Sequence, residues 1–246
     1  MTDLLKIQFK RLNQLKLVYL YAAVMAAYIL SNGISFMKEG AEEARGYYVG
    51  GMFVSDCICC YIDIVGPLFL ALICAVLISS ERTAGMFKQP LLTGISKMEL
   101  IMAKTMSVIT VAFACFLFTI LFSAVVGCFF WGNEVFENAS ECLLRFLLLA
   151  LPHITISLFW VFLSLYMNLP GMLCASLIIL LINNLFSQFF GKYVWAVDFM
   201  YYFYAFSGYN GMGLDKGVMM AGVIVNGITG FLLLWLIGRR MKYMVL

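Results

Sequence analysis

Few residues in this chain have side chains able to do chemistry. His153 is the only histidine, and it shares a helical stripe with Ser157, Trp160 and Ser164. Asp56, Cys60, Asp63 and Pro67 recur at the same kind of spacing, as do Asn183 with Ser187 and Asn184 with Gln188. All lie in or at the ends of apolar runs, where polar groups are costly against lipid and turn towards protein or water. Two uses fit them. One is a polar lining near the outer gate of a translocation path, formed by Asp63, His153, Asn183, Asn184 and Gln188. The other is interhelical hydrogen bonding, worth about 1 kcal/mol or less per contact. Cys57, Cys59 and Cys60 form the one cysteine cluster, CICC, and no histidine or second cysteine pair stands at a spacing that completes a zinc site. The cysteines read as small packing hydrophobes, and no metal or cofactor is expected on this chain.

The sequence holds no GxxxxGK[ST] phosphate loop, no GxGxxG opening a helix and no HExxH. ATP binding is therefore not expected here, and neither is a hydrolase. A membrane-embedded enzyme would have only His153 and Asp63 as an acid/base pair.

These residues must be positioned by membrane helices. The 246 residues are 64% apolar and only 12% charged, against about a quarter charged in a soluble globule. Six runs have the length of a helical span, about 20 residues: 17–36, 57–80, 105–131, 145–167, 171–190 and 217–237. The first is read as a retained span and not a removed signal. Gly66-Pro67 interrupts the second, and a kink or loosened turn is expected there because proline lacks a backbone donor. In the last run Gly222, Asn226 and Gly230 repeat every fourth residue beside Gly227, a small-residue stripe suited to internal packing or to a dimer contact.

Basic residues set the expected orientation. The arm before the first run carries Lys6, Lys10, Arg11 and Lys16, the 81–104 segment Arg82, Lys88, Lys97 and Lys104, and the tail Arg239, Arg240 and Lys242. The opposite side has Lys38, Arg45, Arg145, Lys192 and Lys216 together with nine acids, from Glu39 to Asp215. A multi-pass protein of the cell membrane with both termini in the cytosol is the expectation. Residues 1–16 read as an interfacial helix, with Leu4, Leu5, Phe9, Leu12 and Leu15 on one side and Lys6, Lys10 and Asn13 on the other. The aromatic stretch 191–213 reads as an outer hairpin, its rings suited to the headgroup level. The fold class is thus an all-α integral membrane domain over 1–246.

The segment 81–104, ERTAGMFKQPLLTGISKMELIMAK, is the one long charged interruption between two spans. Glu81 closes the second run, Gly85 breaks the pattern, and Leu91, Leu92 and Ile95 lie between Pro90 and Gly94. Ser96 with Glu99 has capping-box spacing and opens the helix of the third span. A short helix parallel to the membrane, presenting a surface to a partner, is expected.

This segment resembles the intracellular loop of permease subunits of ABC type-2 exporters. In that family a Glu ends span two, a Gly follows four residues on, and a Leu-Leu pair, a small residue, a basic residue and a Lys lead into span three. The matching positions are Glu81, Gly85, Leu91-Leu92, Ser96, Lys97 and Lys104. Met86 stands where the family often has a small hydroxyl residue. The resemblance extends in outline to the whole chain, and its small outer loops are similar to those of peptide-export and immunity permeases. It implies a half-transporter that binds two separate ABC ATPase subunits, which carry ATP and Mg, and pairs with a second permease copy or a sister permease. It implies coupling through Glu81, Arg82, Gly85, Phe87, Leu91, Leu92, Ser96, Lys97 and Lys104, and a cargo among the peptides, lipid-like drugs, glycans or ions that the family carries. The aromatic, sparsely charged spans favour an amphipathic one, peptide, lipid-like or drug-like. Nucleic acid is not an expected partner. The alternative is a membrane scaffold or sensor that recruits a cytosolic protein through the same loop.

Overall fold

A computed structural model describes residues 2–14, 16–43, 49–92, 94–136, 139–189 and 216–243. Among them every element is helical. Four helices are long and apolar enough to cross a membrane, at Leu17–Met37, Gly66–Thr83, Lys97–Trp131 and Val223–Tyr243. Two shorter apolar helices, Leu151–Ser164 and Leu169–Leu181, lie within longer helical elements. The hairpin expected over 191–213 lies outside the described residues.

The chain opens with α1 (Thr2–Gln14) and α2 (Leu17–Glu43), separated at Lys16 by a positive φ of 55°. α1 packs on its neighbours by the expected face: Leu12 is buried and Lys6, Lys10 and Asn13 are exposed, while Phe9, at the edge of that face, is 37% exposed. At the centre of the buried face sits Gln8, drawn inward by a polar contact described below. The faces of Leu4, Leu5 and Leu15 lie outside the described side chains.

The second expected span is built in pieces. α3 (Val49–Cys60) passes into a π-helical turn at Tyr61–Val65, then α4 (Gly66–Cys74), then a second π-helical stretch at Ala75–Ser80 that ends in the single turn α5 (Glu81–Thr83). The loosened turn expected at Pro67 thus falls just before it. The amide of Gly66 reaches back to the Tyr61 carbonyl, the i→i+5 bond that defines a π turn. A Cβ on Gly66 would sit 2.7 Å from that same carbonyl oxygen, so glycine is what permits the closure. Because the wide turn takes in an extra residue, Pro67 is rotated off the stripe of Asp56 and Cys60 that uniform helical spacing predicts.

After α6 (Lys88–Leu92) comes α7 (Lys97–Trp131), 35 residues and about 50 Å long. It starts eight residues before the expected span because Ser96 caps it: the Glu99 amide donates to Ser96 Oγ at 3.2 Å and the Ser96 amide to Glu99 Oε2 at 3.0 Å. This is the predicted capping box. The remaining helices are α8 (Ala139–Ser164), α9 (Leu169–Phe189) and α10 (Lys216–Tyr243).

α7 is the axis of the bundle. α2, α3, α4 and α8 all pack against it, and Tyr21 ties α2 to it through a hydrogen bond to the Cys115 carbonyl (3.0 Å) and a contact with Thr119 Oγ1 (2.6 Å). At one end Phe36, Phe53 and Trp131 form an aromatic knot, with ring centroids 5.1 to 6.4 Å apart. Two residues of the stripe on α10 pack internally: Thr155 Oγ1 of α8 donates to the Asn226 carbonyl, and Gly230 faces Thr155 and Leu158. Cys57, Cys74 and Cys115 are buried in the apolar core.

Two glycines distinguish close packing from open surface. A Cβ at Gly33 of α2 would meet Phe130 of α7 at 2.8 Å, whereas one at Gly227 meets nothing within 4 Å. Gly33→Leu is expected to cost about 1–3 kcal/mol by overpacking, and Gly227→Leu less than about 0.5 kcal/mol. Thermal unfolding of the purified chain in detergent, followed by intrinsic fluorescence, measures the difference.

Candidate functional site

One end of the bundle collects α1, the start of α2, α5, α6, the start of α7, the α8–α9 turn and the end of α10. The residues of the 81–104 segment divide there into two groups. Glu81, Phe87, Leu100, Ile101, Ala103 and Lys104 turn inward, whereas Thr83 to Met86, Lys88, Leu92 and Gly94 are exposed.

Lys104 is completely buried. A buried ammonium needs counter-charge and hydrogen-bond acceptors, and the fold supplies both. Nζ donates to Glu81 Oε2 at 2.8 Å, to the Leu77 carbonyl at 2.7 Å and to Gln8 Oε1 at 3.4 Å, and lies 5.3 Å from the Phe87 ring centre. The other Glu81 oxygen accepts from Arg11 Nη1. One carboxylate is thus clamped between two cations from elements far apart in sequence, and the cluster joins α1, the second π-helical stretch, α5 and α7.

The backbone between Glu81 and Lys104 is closed by two turns of one kind. The Met86 amide donates to the Glu81 carbonyl (2.9 Å) and the Gly85 amide to the Arg82 carbonyl (3.1 Å), with Gly85 at φ 69°. This is a Schellman motif, whose left-handed position favours glycine. The pattern repeats at the end of α6: the Ile95 amide donates to the Pro90 carbonyl (3.2 Å), the Gly94 amide to the Leu91 carbonyl (3.1 Å), and Gly94 has φ 88°. Between the two turns Leu92 is 86% exposed, the most exposed large apolar side chain described, while Leu91 is half-buried. Arg82 points to the other side of the elbow and donates through Nη2 to the Met167 carbonyl in the α8–α9 turn (2.9 Å). Ser96 and Lys97 sit at the start of α7.

The polar residues of the spans are placed differently. His153 is buried and its Nε2 lies 2.6 Å from the Tyr61 hydroxyl, with the two rings stacked at 5.3 Å. Ser157 donates to the His153 carbonyl, and Ser79 to the Ser164 carbonyl. Asp56 accepts from Asn32 Nδ2 at 2.8 Å. The side chains of Asp63, Asn183, Asn184 and Gln188 lie outside the described ones.

Three contacts of this site were not legible from spacing: Gln8 and Arg11 on the elbow, and Tyr61 on His153. The one signal for the first two is that Gln8, Arg11 and Leu12 share a helical face.

Residues 4–183 match the family described as ABC-2 family transporter protein. The chain belongs to the ABC-2 transporter family. No curated protein and no solved structure compared with it gives a significant match. It is a membrane permease component of an ABC transporter, a transport subunit and not a catalytic one, and its family membership implies association with ABC ATPase subunits. The matched stretch contains the whole Arg11–Glu81–Lys104 cluster of the permease and both Schellman turns.

If the clamp holds the permease elbow, Glu81→Ala leaves Lys104 buried without its counter-ion and is expected to cost about 3–5 kcal/mol, whereas Glu81→Leu with Lys104→Met restores most of that. Thermal unfolding of both variants in detergent checks the order. A double variant no more stable than the single one contradicts the assignment.

Proposed function

We propose that this permease is half of an ATP-driven exporter and that the 81–104 elbow is its coupling element, seated on a separate ABC ATPase. In this reading α2, the α3–α5 stack, α7, α8, α9 and α10 are six crossings, with both termini in the cytosol. The clustering of Arg11, Arg82, Lys97, Arg239, Arg240 and Lys242 at the elbow end supports that orientation, since basic residues favour the cytosolic side. Two ATPase subunits and a second permease, identical or related, complete the transporter.

The observation that carries the reading is Leu92, an apolar side chain held in solvent on a backbone anchored at both ends by a buried ion cluster. Closure of the ATPase pair on ATP pushes on this foot, and the Glu81–Lys104 pair passes the displacement to α4 and α7 as a rigid body. An amphipathic cargo, peptide, lipid-like or drug-like, is supported by the aromatic and sparsely charged character of the chain. Asp63, Asn183, Asn184 and Gln188 are the polar groups available to line its path, with His153 engaged by Tyr61.

Leu92→Asp and Gly85→Pro test the coupling element. Proline fixes φ near −65° where the turn has +69°. Both variants are expected to insert into the membrane at wild-type levels while stimulated ATP hydrolysis by the complex falls about tenfold or more, the size of one interface hot spot. Wild-type substrate-stimulated turnover in both would exclude the elbow as the coupling element, and a chain that recruits a protein without ATP hydrolysis would be a scaffold.

A further inference from the structure

A groove of about 680 Å³ runs between the first turn of α7 and the last three turns of α10, beside the elbow but separate from the Glu81–Lys104 cluster. Its floor is apolar. Met98 meets α10 at Gly238, where a Cβ would come within 2.9 Å of Met98 Cε, and Leu234 extends the floor along the helix. Its rim is cationic, with Lys97 on one wall and Arg239 and Lys242 on the other, and no acidic side chain among the described residues lines it.

Two aromatic residues mark the depth. Trp235 is 52% exposed and lies one turn inside the basic residues, and Tyr243 is 67% exposed at the mouth. Arg239 stands over the Trp235 ring at 5.3 Å. An indole at the floor with guanidinium and ammonium groups above it is the order in which a membrane boundary is crossed from hydrocarbon to headgroup. Beyond Trp235 the outer face of α10 continues as an exposed apolar strip through Phe231, Ile228 and Ile224. The groove therefore opens at one end onto a hydrocarbon-facing surface and at the other onto a cluster of cations.

We propose that this groove binds an anionic phospholipid, its phosphate held by Arg239, Lys242 and Lys97 and its acyl chains lying along the exposed face of α10. Arginine and lysine provide the multiple donors that a phosphate accepts. The apolar strip explains why the ligand is a lipid and not a free anion: a soluble phosphate would leave Met98, Leu234 and Trp235 in contact with water. This site goes beyond the transport reading and does not depend on the cargo or on its direction.

Tryptophan quenching tests it, because Trp235 lies in the groove. The full chain is placed in phosphatidylcholine nanodiscs containing a minor fraction of either dibrominated phosphatidylglycerol or dibrominated phosphatidylcholine, and the Trp235 signal is obtained by difference from Trp235→Phe. The anionic quencher is expected to be favoured about fivefold, the size of one basic side chain's attraction at an anionic surface. The double variant Arg239→Gln, Lys242→Gln is expected to lose that preference while both lipids still quench, and Lys10→Gln, outside the groove, to keep it. Replacing chloride by inorganic phosphate at equal ionic strength is expected to leave the preference unchanged. Equal quenching in the wild type, a preference indifferent to the double variant, or equal loss in Lys10→Gln would overturn the proposal. Competition by inorganic phosphate would make the groove a free-anion site, and quenching by neither lipid would mean that protein covers it. Either result also overturns it.

Discussion

The burial of Lys104 is the constraint around which one end of this protein is arranged. An ammonium with no exposed surface is tolerable only where acceptors and opposite charge converge on it, and here three groups from two other parts of the chain supply them: Glu81 and the Leu77 carbonyl one turn before it, and Gln8 of α1. Glu81 in turn has a second cation, Arg11. Removing Glu81 leaves the ammonium uncompensated in a place water does not reach, and removing Gln8 leaves it short of an acceptor. The start of α7, the end of the α3–α5 stack and α1 are consequently fixed to one another more firmly than their apolar contacts alone would fix them. An ion pair of this kind contributes little net stability compared with a well-packed apolar substitute. What it contributes is a defined angle between helices.

That angle matters because the elbow is otherwise short. Five residues of α6 cannot resist displacement by themselves. They are held because the chain enters and leaves through turns closed by their own backbone hydrogen bonds, and because Phe87 is packed beneath Lys104. The separation between what is buried and what is displayed is correspondingly sharp, with Phe87 at 1% exposure and Leu92 at 86% within five positions. At the far end of the bundle the aromatic knot of Phe36, Phe53 and Trp131 performs the equivalent bracing without charge. The protein thus braces one end of the bundle by charge and the other by aromatic packing.

How much of this was readable in advance follows from the range of each interaction. Local signals were legible: the Ser96–Glu99 capping box, Glu81 as the end of a span, the break at Gly85 and the interruption at Pro67. Each is a property of residues within one or two turns. The third span's helix begins at Lys97 and not at Thr105 because a capped helix continues through polar residues that a hydropathy criterion rejects. The partners of Lys104 and His153 were not legible, since Gln8 precedes Lys104 by 96 positions and Tyr61 precedes His153 by 92. Amphipathic spacing located the buried face of α1, but not that Gln8 within it serves a buried cation.

The two left-handed glycine turns have one more effect. They satisfy the elbow's terminal carbonyls internally, so the path of the backbone around Leu92 is already set by the chain itself. A body that settles on that ledge finds it preshaped, and little conformational entropy is surrendered on contact. Contact there can be made and broken without the ledge having to refold in between.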